Sequence, residues 1–279
     1  MKTILITGCS SGIGYAAAQL LRRQNWRVVV SCRQSKDVEL LTAEGFDCLQ
    51  LDITDSAHIQ AAFLHIQQQY GRLDALFCNA GYGQTGAVED IPRAALREQF
   101  ETNVFGTWEC INHAMRLFRQ QGYGRILVNS SILGFAAMPW RGTYNSSKFA
   151  LEGMCDTLRH ELVGSGIYVS LLEPGPITTR FRLNAAEKFA QYIDTENSVH
   201  RKTYEAQWRR LRAEGAVAPF TLSADACAAV CSKALNAQRP KARYAVTVPT
   251  HVFWYLKKLL PTVVLDYLLR RSVAGKKEK

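Results

Sequence analysis

Tyr144 and Lys148 stand four residues apart in the run Tyr144-Asn145-Ser146-Ser147-Lys148. On a helix, positions i and i+4 share a face, so a phenol and an ammonium would project into the same space. A phenol titrates near 10 and is a poor acid–base catalyst at neutral pH. A fixed cation about 5 Å away, at an effective dielectric near 20, would favour the phenolate by roughly 3 kcal/mol, or about two pKa units. That shift moves the group towards the range where general acid–base catalysis works. The same spacing also occurs in helices that carry no chemistry. The surroundings of the pair decide.

A second constellation lies at the N-terminus, where Thr7-Gly8-Cys9-Ser10-Ser11-Gly12-Ile13-Gly14 ends an apolar strand and opens a helix. Gly8, Gly12 and Gly14 would let the backbone approach a pyrophosphate, and a helix N-terminus offers free N–H groups and a positive dipole end. The spacing G-x3-G-x-G differs from the G-x-G-x-x-G of other dinucleotide folds. A glycine-rich turn with no ligand is the plain alternative, but the strand-to-helix context favours a nucleotide. The second strand bears on which one. NAD sites usually place an acid about 20 residues on, to hold the ribose hydroxyls. Here that region reads Ser31-Cys32-Arg33, and the first acid, Asp37, lies outside the strand. Arg33, assisted by the Ser11 hydroxyl, could pair with a 2′-phosphate through a charge-assisted bond worth roughly 1.5–3 kcal/mol. The expectation is NADP(H) over NAD(H), against a solvated surface arginine as the alternative.

With these pieces the chain resembles the short-chain dehydrogenase/reductase family over its first 180 residues or so. Thr7–Gly14 looks like the family's glycine motif, which carries Ser10, Ser11 and Ile13 into the cofactor site. Asp52, at the end of the third strand and followed by Ile53, matches the acid that contacts adenine. Asn79-Ala80-Gly81 matches the Asn-Ala-Gly turn, with Cys78 where the family often has another Asn. Asn103 matches the helical asparagine, and Ser131 stands 13 residues before Tyr144, the family's usual spacing for its serine. Pro174 and Gly175, followed by Ile177 and Thr179, look like the segment that flanks the nicotinamide.

The resemblance implies a mechanism. Tyr144 would protonate the substrate oxygen as hydride leaves the nicotinamide, or deprotonate the alcohol in reverse. Lys148 would lower its pKa and hold the ribose. Ser131 would hydrogen-bond the oxygen where charge develops. Ser130 would point to the other side of the strand. Asn103 would fix a water linking Lys148 to solvent. The resemblance also implies a homodimer or homotetramer through helices near Ala94–Gln120 and Thr143–Gly164.

The elements that must position these groups alternate as βαβ units, implying a single α/β Rossmann-type, doubly wound parallel sheet with helices on both faces. Strands are expected at Lys2–Thr7, Trp26–Cys32, Cys48–Asp52, Leu73–Cys78, Arg125–Ser130, Ile167–Glu173 and Tyr244–Val248. Helices are expected near Ile13–Gln24, Val38–Ala43, Ser56–Tyr70, Ala94–Gln120, Thr143–Gly164 and Ala224–Asn236. The regularity breaks after Pro174-Gly175-Pro176. Residues from about 178 to 218 are polar, charged and aromatic with no strong strand, and such an excursion is expected to be a substrate flap. A C-terminal extension covers about 250–279.

With 279 residues, 47% hydrophobic and 21% charged, the chain fits one globular domain with a sizeable core. Five of its ten net positive charges fall between His251 and Lys279. The chain has no zinc-finger spacing and no basic helix interleaved with stacking aromatics, so nucleic acid is not expected as a partner. Eight cysteines are scattered without a Cys-x2-Cys, and no signal peptide precedes the first strand. A reducing cytoplasm and no metal site are the expectation.

The apolar run Gly134–Trp140, with Tyr82, Phe181 and Phe220, favours a small lipophilic aldehyde, ketone or alcohol as substrate. No arginine pair is evidently aimed at a substrate carboxylate. The chain lacks the late Gly-Gly of family members acting on acyl-carrier thioesters. It runs Arg239-Pro240-Lys241-Ala242-Arg243-Tyr244 and then an extension, resembling the hydroxysteroid, retinol and aliphatic aldehyde branch. Lys257 and Lys258 beside Phe253, Trp254 and Leu260 would suit peripheral contact with a membrane interface. Packing on the chain's own domain is the alternative. The readings are thus an NADPH-dependent carbonyl reductase, an oxidative steroid- or retinol-type dehydrogenase, or a non-catalytic NADP(H)-sensing protein. The last would typically lack one of Ser131, Tyr144 or Lys148.

Overall fold

In the computed structural model, which describes residues 1–216 and 218–273, the β-branched runs form β1 (Thr3–Ile6), β2 (Arg27–Cys32), β3 (Asp47–Gln50), β4 (Ala75–Cys78), β5 (Gly124–Asn129) and β6 (Ile167–Glu173). With β9 (Arg243–Ala245) they make one parallel sheet in the order β3-β2-β1-β4-β5-β6-β9. The order reverses between β1 and β4, which opens the crevice where such sheets bind ligands.

Alternation along the strands sends successive residues to opposite faces. Leu5, Val29, Leu76 and Ile126 pack with Ile59, Ile111 and Leu151, which lie on α3 (Ser56–Tyr70), α5 (Thr107–Gln121) and α6 (Gly142–Glu161). Ile4, Ile6, Val28 and Phe77 face Leu21, Leu41 and Leu235, on α1 (Gly12–Arg23), α2 (Ser35–Ala43) and α9 (Ala224–Asn236). Both faces are therefore dry, which is why these strands are almost continuously apolar. Local chemistry sets the helix ends: Asp55 caps α3 by accepting from the N–H groups of Ala57 and His58, and left-handed Gly71 stops it.

Several boundaries differ from the sequence reading. β3 stops at Gln50, so Asp52 lies in the following turn, where Oδ1 accepts from the Thr54 N–H at 3.0 Å. The last strand is shorter than expected because the chain turns at Thr247 into α10 (Val248–Leu259). The helix expected over Ala94–Gln120 is α4 (Arg93–Phe100) and α5 separated by a π-helical turn at Glu101–Gly106. Gly106 sits there because a Cβ would come within 2.0 Å of the Ile53 carbonyl oxygen.

The expected flap is built around two helices, α7 (Phe181–Tyr192) and α8 (Arg201–Arg212). A short parallel ladder, β7 (Ile177–Thr178) with β8 (Leu222–Ser223), brings its two ends together. It has a core of its own: Phe189, Ile193, Tyr204 and Leu211 pack with Ala87, Trp140 and Trp208. The Tyr204 hydroxyl donates to Asp90 and accepts from the Ala87 N–H, fastening α8 to the body. The chain ends its described part with α10 and α11 (Thr262–Val273). Residue 217 of the flap, and residues 274–279 with their three lysines, lie outside the described residues.

Candidate active site

The nucleotide loop is shaped by close approaches that only glycine allows. Gly8 has φ of +71°, and a Cβ there would meet the Ala80 Cα at 2.8 Å. Asn79 stitches the β1 and β4 loops together, donating from Nδ2 to the carbonyls of Thr7 at 3.0 Å and Gly8 at 2.8 Å. Thr7 Oγ1 accepts in turn from the N–H groups of Asn79 and Ala80. Ser11 stands at the N-cap of α1 without capping it through its side chain, and Ser10 is exposed beside it. The first N–H groups of α1 therefore face the loop uncapped, the arrangement an anion uses. Ile13 lies in the first turn of α1. Thr179 packs against Gly12, and Gly175 lies close to Thr247, so the Pro174–Thr179 segment closes over this loop.

Arg33 emerges exposed from the end of β2. Its charge helps to lower Glu98, whose burial is outweighed by hydrogen bonds from Lys188 and Tyr192. Asp52 and Ile53 lie on the β3 side of the crevice, the Asp52 carboxylate held by Thr54.

The four residues expected to do chemistry converge on one end of α6. Lys148 Nζ lies 5.6 Å from the centre of the Tyr144 ring and donates to the Asn129 carbonyl at 2.6 Å. Ser131 extends from the end of β5, its Oγ accepting from the Leu133 N–H at 3.1 Å. The hydroxyl donates to the Pro174 carbonyl at 3.5 Å and lies near enough to the Tyr144 phenol to lower its pKa. Asn103, in the π turn, accepts from the Tyr82 N–H at 3.1 Å and donates to the Tyr82 carbonyl at 3.0 Å and to Ser147 Oγ at 3.1 Å. Its amide fastens the Tyr82 loop to α6 through Ser147 and makes no direct contact with Lys148.

The electrostatics correct one expectation. Burial of its phenol pushes Tyr144 up to about 12, and the Ser131 hydroxyl only partly offsets this. Lys148 does not bring the phenol towards neutrality. It is itself pulled down to about 8 by burial, with Glu152 the leading influence holding it up. Desolvation, which opposes both charged forms, outweighs the attraction between them. At neutral pH the pair is a protonated phenol beside an ammonium.

The family model for short chain dehydrogenases matches residues 2–189. The chain belongs to the short-chain dehydrogenase family. It is 37% identical over 96% of its length to an uncharacterized oxidoreductase, YbbO, of Escherichia coli K12, covering 94% of that protein. It is 34% identical to human 17-beta-hydroxysteroid dehydrogenase type 1, over 88% of this chain and 77% of the human one. An NADPH-dependent 3-dehydrocapnine reductase of Ornithobacterium rhinotracheale is 30% identical, with 98% of both chains covered. This chain is thus an oxidoreductase acting on CH–OH or C=O groups.

This short-chain dehydrogenase carries further site groups that the sequence reading missed. Glu152 continues the Tyr144–Lys148 ladder by one more turn. It accepts from Ser130 Oγ and pairs with Arg243 at 2.9 Å. Arg243 also reaches Asp156 at 2.6 Å and Glu173 at 3.2 Å, so a partly buried cluster of one guanidinium and three carboxyl groups underlies the lysine. The i+8 position of Glu152 was the available signal, whereas Glu173 and Arg243 lie on other strands and gave none.

The flap reaches Tyr144 directly. Phe181 packs edge-on against Tyr144, with ring centres 5.3 Å apart. A separate apolar cluster of Ile132, Leu133, Ala136 and Leu269 joins Met138, Phe253 and Leu265 to the Tyr144 ring. The C-terminal helices therefore pack on their own domain and wall the site. Their outer side still exposes Tyr255, Leu259, Val263 and Tyr267 near Lys257, Lys258, Arg270 and Arg271. Arg141, Arg182 and Arg210 gather where α6, α7 and α8 meet, Arg182 donating to the Arg210 carbonyl at 3.4 Å and the charge of Arg210 acting on Arg141, whereas the sequence shows no arginine pair evidently aimed at a substrate carboxylate. Among the described residues no helix is long and apolar enough to cross a membrane.

Proposed function

We propose that this dehydrogenase uses NADPH to reduce an aldehyde or ketone of a lipophilic substrate to its alcohol. The observation that carries this reading is the place of Tyr144, with Lys148 Nζ 5.6 Å from its ring and an apolar wall packed against it. Reduction needs a proton donor there, and a phenol at about 12 keeps its proton at neutral pH.

The chain's residues fit the cofactor: a glycine cradle, an uncapped α1 N-terminus, and Arg33 at the end of β2 to take a 2′-phosphate. When bound, the nicotinamide supplies hydride to the carbonyl carbon. Ser131 Oγ hydrogen-bonds the carbonyl oxygen and Tyr144 Oη gives it a proton. Lys148, anchored on Asn129, stabilises the phenolate left behind. Asn79, Ala80 and Gly81, with Pro174, Gly175, Ile177 and Thr179, are the residues that would hold the cofactor's nicotinamide half. The NADPH-dependent relative of O. rhinotracheale is consistent with this cofactor choice.

The likeness to the human hydroxysteroid dehydrogenase favours a second reading, oxidation of a steroid- or retinol-like alcohol. That direction begins with a phenolate, which the burial of Tyr144 opposes. A turnover assay with NADPH against medium-chain aldehydes, retinal and a ketosteroid separates the two. Consumption of NADPH with an apolar carbonyl is expected; turnover only of alcohols with NADP+ would reverse the direction, and silence throughout would remove the reading.

The exposed apolar and basic side of α10 and α11 supports peripheral contact with anionic lipid. Because these helices also wall the site, truncation is a poor test. The double variant Leu259→Gln/Val263→Gln should float less with phosphatidylserine vesicles than the parent; equal flotation would remove this contact.

A further inference from the structure

Arg141 is the N-cap residue of α6, three positions before Tyr144. Arg182 follows Phe181, the residue packed on Tyr144, in the first turn of α7. Arg210 lies in the last turn of α8, whose Tyr204 packs with Trp140, the neighbour of Arg141. Arg182 donates to the carbonyls of Arg210 at 3.4 Å and Gly215 at 2.5 Å, and Arg141 to that of Pro139 at 3.2 Å. These bonds leave most of the guanidinium donors for something else.

Among the described residues none of the three makes an ion pair, although other arginines of the chain, such as Arg201 with Glu196, do. Burial pulls Arg141 down to about 9, and the charge of Arg210 adds to the effect. Arg210 is lowered by burial too, with Arg182 contributing. Three like charges in a half-buried setting oppose folding unless an anion joins them. Natural proteins keep such arrangements where function requires them.

The cofactor's own anionic groups do not account for the cluster. The phosphate-binding loop meets this part of the chain at Thr179, against Gly12, whereas Arg182 runs into the flap and donates to the carbonyls of Arg210 and Gly215.

We propose that Arg141, Arg182 and Arg210 hold an anionic head group of the substrate, a carboxylate, phosphate or sulfonate, while its aliphatic part lies on the wall of Ile132, Leu133, Phe253 and Leu265. The substrate is then an anionic amphiphile whose carbonyl stands between head and tail, at Tyr144. A guanidinium fork matches the paired oxygens of all three anions. The inference rests on the carbonyl-reductase reading for its substrate, but the anion site is testable without turnover.

The test is calorimetric binding of decanesulfonate, decyl phosphate, decanoate and decanol to the NADP+-loaded protein. At least one anion should bind about 10-fold or more tighter than decanol, the range expected of charge-assisted bonds. Arg210→Gln should abolish that difference, while Arg201→Gln, in the same helix, should keep it. The ranking of the three anions identifies the head group. Equal binding of anions and alcohol by the parent protein, or an unchanged preference in Arg210→Gln, overturns the proposal. Arg141→Gln without ligand should unfold at a higher temperature than the parent, since it removes like-charge repulsion; a lower one would mark these arginines as structural and count against the site. An anion preference with no carbonyl turnover would sink the reductase reading alone. Turnover without the preference would sink only the anion site.

Discussion

Lys148 Nζ reaches the carbonyl oxygen of Asn129 at 2.6 Å, so the ammonium is fixed to the end of β5 as well as to α6. A buried lysine at about 8 is cationic below that pH and loses its charge above it. In the proposed reduction this cation stabilises the phenolate that forms as Tyr144 gives up its proton. Carbonyl reduction should therefore be level at low pH and fall as pH rises through about 8. The profile of kcat against pH checks this. A rate rising through the same window would assign the lysine another role.

Replacing Tyr144 by Phe removes the proton donor and leaves the ring that packs on Phe181. NADPH binding should persist while turnover falls below about 1%, in line with the 10²–10⁴-fold typical of general acid–base groups. Fluorescence titration of NADPH beside steady-state rates gives both numbers. Retention of more than a few per cent of turnover would dismiss the assignment.

Arg33→Ala should cut kcat/KM for NADPH by about 10- to 150-fold and leave that for NADH nearly unchanged, because a charge-assisted bond contributes roughly 1.5–3 kcal/mol. Parallel losses with the two cofactors would mean the arginine serves the loop and not the phosphate.

Glu173 makes a separate prediction about stability. Burial, with the neighbouring Glu152, raises its carboxyl from 4.5 to about 8. The folded state then binds a proton that the unfolded chain has released, so this stabilisation is complete below about 4.5 and lost as pH rises towards 8. Glu173→Gln cannot titrate. Its melting temperature should gain on the parent as pH increases across that window, and parallel curves would show that Arg243 keeps the carboxylate charged.

The sequence reading found the sheet, its helices and the Tyr144–Lys148 pair because each leaves a local trace. Apolar runs such as Val28-Val29-Val30 reveal strands buried on both faces, and a four-residue spacing reveals a shared helix face. Three features left no such trace. The π turn at Asn103 interrupts a continuous helical pattern, and its one glycine, Gly106, is a residue helices tolerate and so marks no break. The flap helices carry a polar, aromatic composition, and their apolar partners, Ala87 and Trp140, lie far away in the chain. Burial at Tyr144 depends on how Phe181, Phe253 and Leu269 come together, so the pair's spacing foretold the contact but not the direction in which the phenol shifts. The arginines escaped for the same reason: they are 28 to 69 residues apart and meet only when α8 docks.

The apolar wall of the site comes partly from α10 and α11, after the last strand of the sheet, whereas the glycine loop and the Tyr144–Lys148 ladder lie within the first 150 residues. The proposed redox machinery and part of the wall beside it are therefore written on different stretches of one chain. Such a protein can change what it accepts by exchanging a terminal segment, with the hydride and proton machinery left as it was.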